Sequence, residues 1–126
     1  MFAYSSKLTV VPKLDLSAAT TYAEIFNGTT ALTTVEEIKF SAKGTFSNSF
    51  KGCTNLTNMN VTGVIGQNGF NVGDCTLLTH DSLMSIINCL ETKTSGTWTV
   101  TLGTTNLAKL TDAEKAIATQ KGWTLA

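Results

Sequence analysis

The sequence predicts an α/β solenoid in which short coils with parallel strands stack on one another and a mixed helix-and-strand segment closes the stack. Three observations predict it. The phrase Phe2-x5-Leu8 returns as Phe26-x5-Leu32 and Phe50-x5-Leu56, each copy 24 residues after the last. A shorter copy, Val72-x5-Leu78, begins 22 residues after Phe50, and Cys75-Thr76-x-Leu78-Thr79 echoes Cys53-Thr54-x-Leu56-Thr57. After Thr79 the phrase stops and apolar residues recur at helical spacing instead. Repetition at a period of about 20 to 30 residues marks units that hide their apolar face only by stacking on a neighbour. The expected organisation is therefore coils over residues 1–79 and a capping segment of the same domain over residues 80–126.

Each coil carries a short alternating run, Lys13-Leu14-Asp15-Leu16-Ser17 in the first and Glu37-Ile38-Lys39-Phe40-Ser41 in the second. Period-two alternation turns Leu14, Leu16, Ile38 and Phe40 inward and their neighbours outward, as in parallel strands. Pro12 precedes the first strand, where its missing N–H costs little. The third coil has lost a residue at Asn60-Val61-Thr62-Gly63, and Gly63, Gly66 and Gly69 predict a looser strand with an irregular connection. The expected inward column is Leu14, Ile38, Val61 and Val100. Tyr22 before Phe26 and Phe46 before Phe50 sit at i and i+4, the spacing of a short helical turn, with Gly28 and Gly52 letting it close.

In the closing segment, Leu83, Ile86, Ile87 and Leu90 predict a helix from Asp81 to Glu91 with Thr79 as its N-cap. Trp98-Thr99-Val100-Thr101-Leu102 alternates as a strand. Thr111-Asp112-Ala113-Glu114 reads as a capping box opening a helix from Asp112 to Lys121, with Gly122 as its stop and Trp123-Thr124-Leu125 extended beyond it.

Composition narrows the function classes. A net charge of zero, with 14% of residues charged, leaves no basic stripe for nucleic acid. The apolar stretch from Leu83 to Leu90 is too short to span a bilayer, so no membrane insertion is expected. Met1 to Lys7 lacks the basic-then-apolar layout of a secretory signal. Three cysteines, an odd count, argue against a disulfide framework. Cys53 and Cys75 share a repeat position with Ser5 and Thr29, which reads as a small inward slot whose weak donor meets a backbone carbonyl. No CxxC or histidine pair offers a metal site.

The frame Met1-Phe2-x3-Ser6-Lys7-Leu8-Thr9-x-Val11-Pro12-Lys13-Leu14-Asp15-Leu16-Ser17, together with Phe50-Lys51-Gly52-Cys53-Thr54-Asn55-Leu56-Thr57, resembles the BspA-like leucine-rich repeats of bacterial surface proteins and phage tail proteins. The segments Leu78 to Ile87 and Thr105 to Lys115 look like the C-terminal piece that closes such arrays. The resemblance implies a leucine-rich-repeat solenoid, a role in adhesion or receptor recognition on a virion tail or bacterial cell surface, and no catalytic residues. Ser5 and Thr29, where that family usually has Cys, and the shortened third coil depart from its pattern.

The residues themselves offer little catalytic chemistry. His80, Asp81 and Ser82 are adjacent at a helix start and point in different directions, so they form no relay among themselves. Gly63-x2-Gly66-x2-Gly69 is no phosphate loop, and Asn68, Asn71 and Asp74 lack the acidic residue of a calcium loop. No cofactor is expected. The candidate binding surface is the solvent side of the strands: Lys13, Asp15, Ser17, Glu37, Lys39, Ser41, Asn60 and Thr62. Lys13 then faces Glu37 and Asp15 faces Lys39, either as cross-strand charge pairs or as a polar strip for a protein or glycan of a host or bacterial surface. The function expected is a non-enzymatic recognition or adhesion module. The alternatives are a structural terminator of a repeat array and, least supported by these residues, an enzyme of unknown type. Nothing before Met1 matches Tyr22 or Phe46, so the first coil is expected to meet adjacent repeats of a longer array or to self-associate.

Overall fold

The computed structural model describes residues 2–126, so Met1 of the resemblance frame lies outside the described residues. The elements in order are β1 (Val10–Val11), β2 (Leu14–Asp15), β3 (Thr34–Phe40), β4 (Asn58–Gly63), α1 (His80–Asn88), β5 (Trp98–Val100), α2 (Thr104–Leu107), α3 (Asp112–Gln120) and β6 (Trp123–Leu125). The first strand is thus two pieces broken at Pro12, whose ring removes an N–H from the ladder. Both pieces lie on one side of β3, with Val10 opposite Thr34 and Leu14 opposite Ile38. β4 lies on the other side, and every pairing is parallel.

The predicted solenoid is corrected. Among the described residues the strands fall into two small separate sheets, β1, β2, β3 and β4 in one and β5 with β6 in the other, joined with three helices rather than with a continued ladder. Three chain segments pair in parallel in the first sheet and its strand ladder ends there. Its end has a physical cause: α1 lies where a fourth strand would pair. Ser82 Oγ accepts the Met59 N–H at 3.0 Å and Ser85 Oγ accepts the Val61 N–H at 3.0 Å. Cys89 Sγ donates to the Val61 carbonyl at 3.3 Å. Spacings of three and four put these groups on one helix face, and that face satisfies the edge of β4 as a strand would. Val100, expected to extend the column, pairs with Leu125 in the second sheet. Leu14, Ile38 and Val61 do share one column, with Ile38 and Val61 buried.

The core runs alongside this column. Phe2, Phe26 and Phe50 stack with ring centroids 5.5 and 5.7 Å apart, and Phe70, 5.6 Å from Phe50, supplies the next ring. Val72, at the repeat position, is buried without contributing a ring. Leu32, Leu56 and Leu78 are buried beside them. The small slot behaves as its residue types predict. Thr29 Oγ1 donates to the Phe2 carbonyl at 3.0 Å, Cys53 Sγ to Phe26 at 3.1 Å and Cys75 Sγ to Phe50 at 3.7 Å. All three cysteines are free thiols.

The segment from Tyr22 to Phe26 is a run of turns rather than a helical turn. Glu24 and Asn48 adopt φ of 56° and 51°, left-handed values that break a right-handed helix. The turns stack instead. The N–H groups of Tyr22, Glu24, Phe26 and Gly28 donate to the carbonyls of Thr45, Ser47, Ser49 and Lys51 at 2.8 to 2.9 Å. The expectation of a loose third strand is also corrected. A Cβ on Gly63 would stand 2.1 Å from the Phe40 carbonyl oxygen, and one on Gly66 2.3 Å from that of Ala42. These glycines mark close backbone approach, not slack.

In the closing segment α1 ends at Asn88, earlier than expected, and Leu90 bridges to Ile65. Thr79 caps α1 by accepting the Ser82 N–H, and Thr111 and Glu114 complete a capping box on α3. Trp98 pairs with Trp123 across the second sheet, and Lys93 Nζ sits 3.8 Å above the Trp98 ring. α2 has no sequence-level forecast. It positions Asn106, a fully buried amide whose Nδ2 donates to the carbonyls of Val72, Cys75 and Leu102 at 3.4, 3.2 and 2.8 Å.

Candidate binding site

β3 carries the centre of the exposed strip. Asp15, Lys39 and Thr62 occupy one row of the parallel ladder. Lys13, one residue before Leu14, stands opposite Glu37, one residue before Ile38. Lys13, Asp15, Lys39 and Asn60 are exposed, and Glu37 is half-buried. Between Val35 and Ile38 the register with β4 shifts, so Glu36 and Glu37 together oppose Asn60. This bulge is the residue that the third segment lacks.

The cross-strand charges do not pair. Among the described residues, the ion pairs within 4 Å involve His80 with Asp81 and Glu114, and Lys93 with Glu91, and none includes Lys13, Lys39, Asp15 or Glu37. Asp15 turns to its own strand end. Its Oδ1 accepts the Ser17 hydroxyl at 2.5 Å and the Ser17 N–H at 3.0 Å. Those two bonds, ahead of the weaker attraction of Lys39, hold its carboxyl below the ordinary value. Ser17 is spent in this local turn. Ser41 faces away from the strip, with its N–H donating to the Tyr22 hydroxyl at 2.8 Å and its own hydroxyl within 3.4 Å of the Ala19 carbonyl. Thr62 Oγ1 is buried and has no hydrogen-bond partner among the described residues. The strip available to a ligand therefore consists of Lys13, Glu37, Lys39 and Asn60, with Asp15 held in place by Ser17.

Sequence reasoning missed the continuation of this strip. A cleft of about 380 Å³ runs from β3 and β4 to the start of α1, lined by Thr34, Glu36, Asn58, Asn60 and Asp81, with Val35 and Met59 at its base. Period-two alternation along Asn58-Met59-Asn60-Val61 would have revealed its outward amides. The approach of Asp81 depends on where α1 docks.

The His80, Asp81 and Ser82 run separates in space. Ser82 is buried against Met59 and Thr57, Asp81 is exposed, and His80 Nε2 meets Glu114 Oε2 of α3 at 2.5 Å. His80 thereby joins the two longer helices. The described residues contain no group of three metal-ligating side chains, and none of their helices is long and apolar enough to cross a membrane. No family model, no curated protein and no solved structure matches the chain.

Proposed function

We propose that this protein is a non-enzymatic recognition module that binds a surface protein or glycan of a host or a bacterium. The face formed by β1 to β4 is its contact surface. One observation carries the reading: the exposed Lys13 and Lys39 and the half-buried Glu37 stand on a hydrogen-bonded parallel sheet without entering ion pairs among the described residues. Exposed charges held in a fixed array and not consumed by the fold are available for a complementary partner. The adjoining amides of Asn58 and Asn60 supply donors and acceptors that hydroxyl or peptide groups match. The resemblance of the repeat phrase to BspA-like proteins supports a setting on a phage tail or a bacterial surface.

A glycan array combined with a pull-down on host and bacterial surface extracts tests the proposal. Binding by the wild-type chain should fall at least about tenfold in the Lys13→Ala, Lys39→Ala double variant, whose changes are exposed and leave the core intact. Binding indifferent to both lysines would overturn this face as the contact surface. A second reading, a structural end piece, is supported by the hydroxyl face of α1 that closes the β4 edge. Failure of every surface extract to bind, with intact folding, would favour it.

A further inference from the structure

We infer that the turns spanning residues 46–51 and 69–74 form a second site, which takes a neutral pyranose sugar through adjacent hydroxyl groups. These turns lie across the aromatic core from the strand strip. Phe46 packs edge-on against Phe40 of β3, with centroids 5.1 Å apart, and against Phe70 at 5.2 Å. Between the turns is a cavity of about 430 Å³ lined by Phe46, Ser47, Asn48, Lys51, Asn71 and Asp74 among others, within the size range of small-molecule sites.

Two of its polar groups are aimed by the backbone of the turns. Asp74 Oδ2 accepts the Gly52 N–H at 2.9 Å, and Asn71 Oδ1 accepts the Gly73 N–H at 2.8 Å. Each side chain is held by one atom and keeps the other free, a carboxylate oxygen on Asp74 and an NH₂ on Asn71. Lys51 joins no ion pair among the described residues. The side chains of Ser47, Asn48 and Lys51 likewise contribute no hydrogen bond to the fold of those residues. The cavity therefore presents unused acceptors and unused donors together. A hydroxyl both donates and accepts, and two on neighbouring ring carbons span a donor–acceptor pair of this kind. Lys51 and Asp74 cancel in charge, which disfavours an ion as ligand. Phe46, buried because its ring packs against Tyr22, Phe40 and Phe70, closes the cavity toward the core. Because Asp74 and Asn71 are fixed before binding, little side-chain ordering is lost when the sugar arrives.

The site stands independently of the strand strip, and the experiment separates the two. The full ¹⁵N-labelled chain is titrated with the methyl glycosides of glucose, galactose, mannose and N-acetylglucosamine, and with matching trisaccharides, into the millimolar range. Saturable shifts are expected at the Gly52 and Gly73 amides and at the Asn48 and Asn71 side-chain NH₂ groups. Asp74→Asn and Ser47→Trp should each weaken binding about tenfold or more, whereas Lys7→Ala, an exposed residue outside both surfaces, should bind as wild type. Tighter trisaccharide binding assigns a polymer interior, and equal binding assigns a free sugar or chain end. Absence of a saturable shift with every sugar, or shifts that persist in a folded Ser47→Trp variant, would overturn the inference. Ser47 is exposed, so that variant decides the matter even if Asp74→Asn disturbs the turn.

Discussion

Replacing Ser82 and Ser85 with alanine tests whether α1 stands in for a missing strand. Ser82 Oγ is the acceptor for the Met59 N–H, and both residues are buried. Its removal leaves a buried N–H unpaired, which costs about 1 to 3 kcal/mol. The gain in helix propensity from Ser to Ala returns about 0.5 kcal/mol, so Ser82→Ala should destabilise by about 1 to 2 kcal/mol. Ser85 is half-buried, and water can replace its bond to the Val61 N–H, so Ser85→Ala should cost under about 1 kcal/mol. The double variant should lose about 1 to 3 kcal/mol, measured as a lower urea midpoint at unchanged slope. Amide hydrogen exchange supplies the specific signature: protection should fall first at Met59 and Val61 while the amides of β3 stay protected. An exposed-loop control, Ser95→Ala, should change neither measurement. Unchanged exchange at Met59 in Ser82→Ala, or a loss below about 0.5 kcal/mol, would refute the edge-closing role of α1.

Three further outcomes are expected. Asn106→Ala leaves three carbonyls without the amide that joins them, and urea titration should show a loss of about 2 to 4 kcal/mol; a loss under about 1 kcal/mol would refute its structural role. Cys53 and Cys75 should resist a thiol reagent in the folded chain and react only on unfolding, because burial raises the Cys53 thiol to about 11 and that of Cys75 further in the same direction; rapid labelling of either would contradict the slot geometry. The Glu114 carboxyl is lowered mainly by the Thr111 N–H and further by its contact with His80. A depressed folded value contributes stability above the ordinary glutamate value of about 4.3, and that stability is lost as pH falls through the folded value. The melting temperature of Glu114→Gln should therefore lie below wild type at neutral pH and converge with it as acid protonates the folded carboxylate, below the ordinary glutamate range, and a gap independent of pH would exclude this linkage.

Local features of the chain were legible as sequence because each depends on neighbours a few residues away. The capping box at Thr111 and Glu114, the N-cap at Thr79 and the stop at Gly122 are set by local hydrogen bonds and by the left-handed preference of glycine. The 24-residue offset was legible as well, since identical side chains at Phe2, Phe26 and Phe50 stack best on one another. The outward placement of Lys13, Asp15, Lys39 and Asn60 followed from period-two alternation.

What only the tertiary structure decided is where the stacking ends and which groups the fold consumes. Ser82, Ser85 and Cys89 read in sequence as unremarkable small residues of a helix, and their hydroxyl and thiol groups become a strand edge only once α1 docks on β4. The left-handed turns at Glu24 and Asn48 contradict the i and i+4 pattern because the stacked backbone hydrogen bonds outweigh local helical preference. Ser41 alternates correctly for the outer face, yet the Tyr22 hydroxyl draws it inward. Periodicity records which side chains can share a face; long-range hydrogen bonding determines which polar groups remain free on it, and that depends on partners 19 to 34 residues away in the chain.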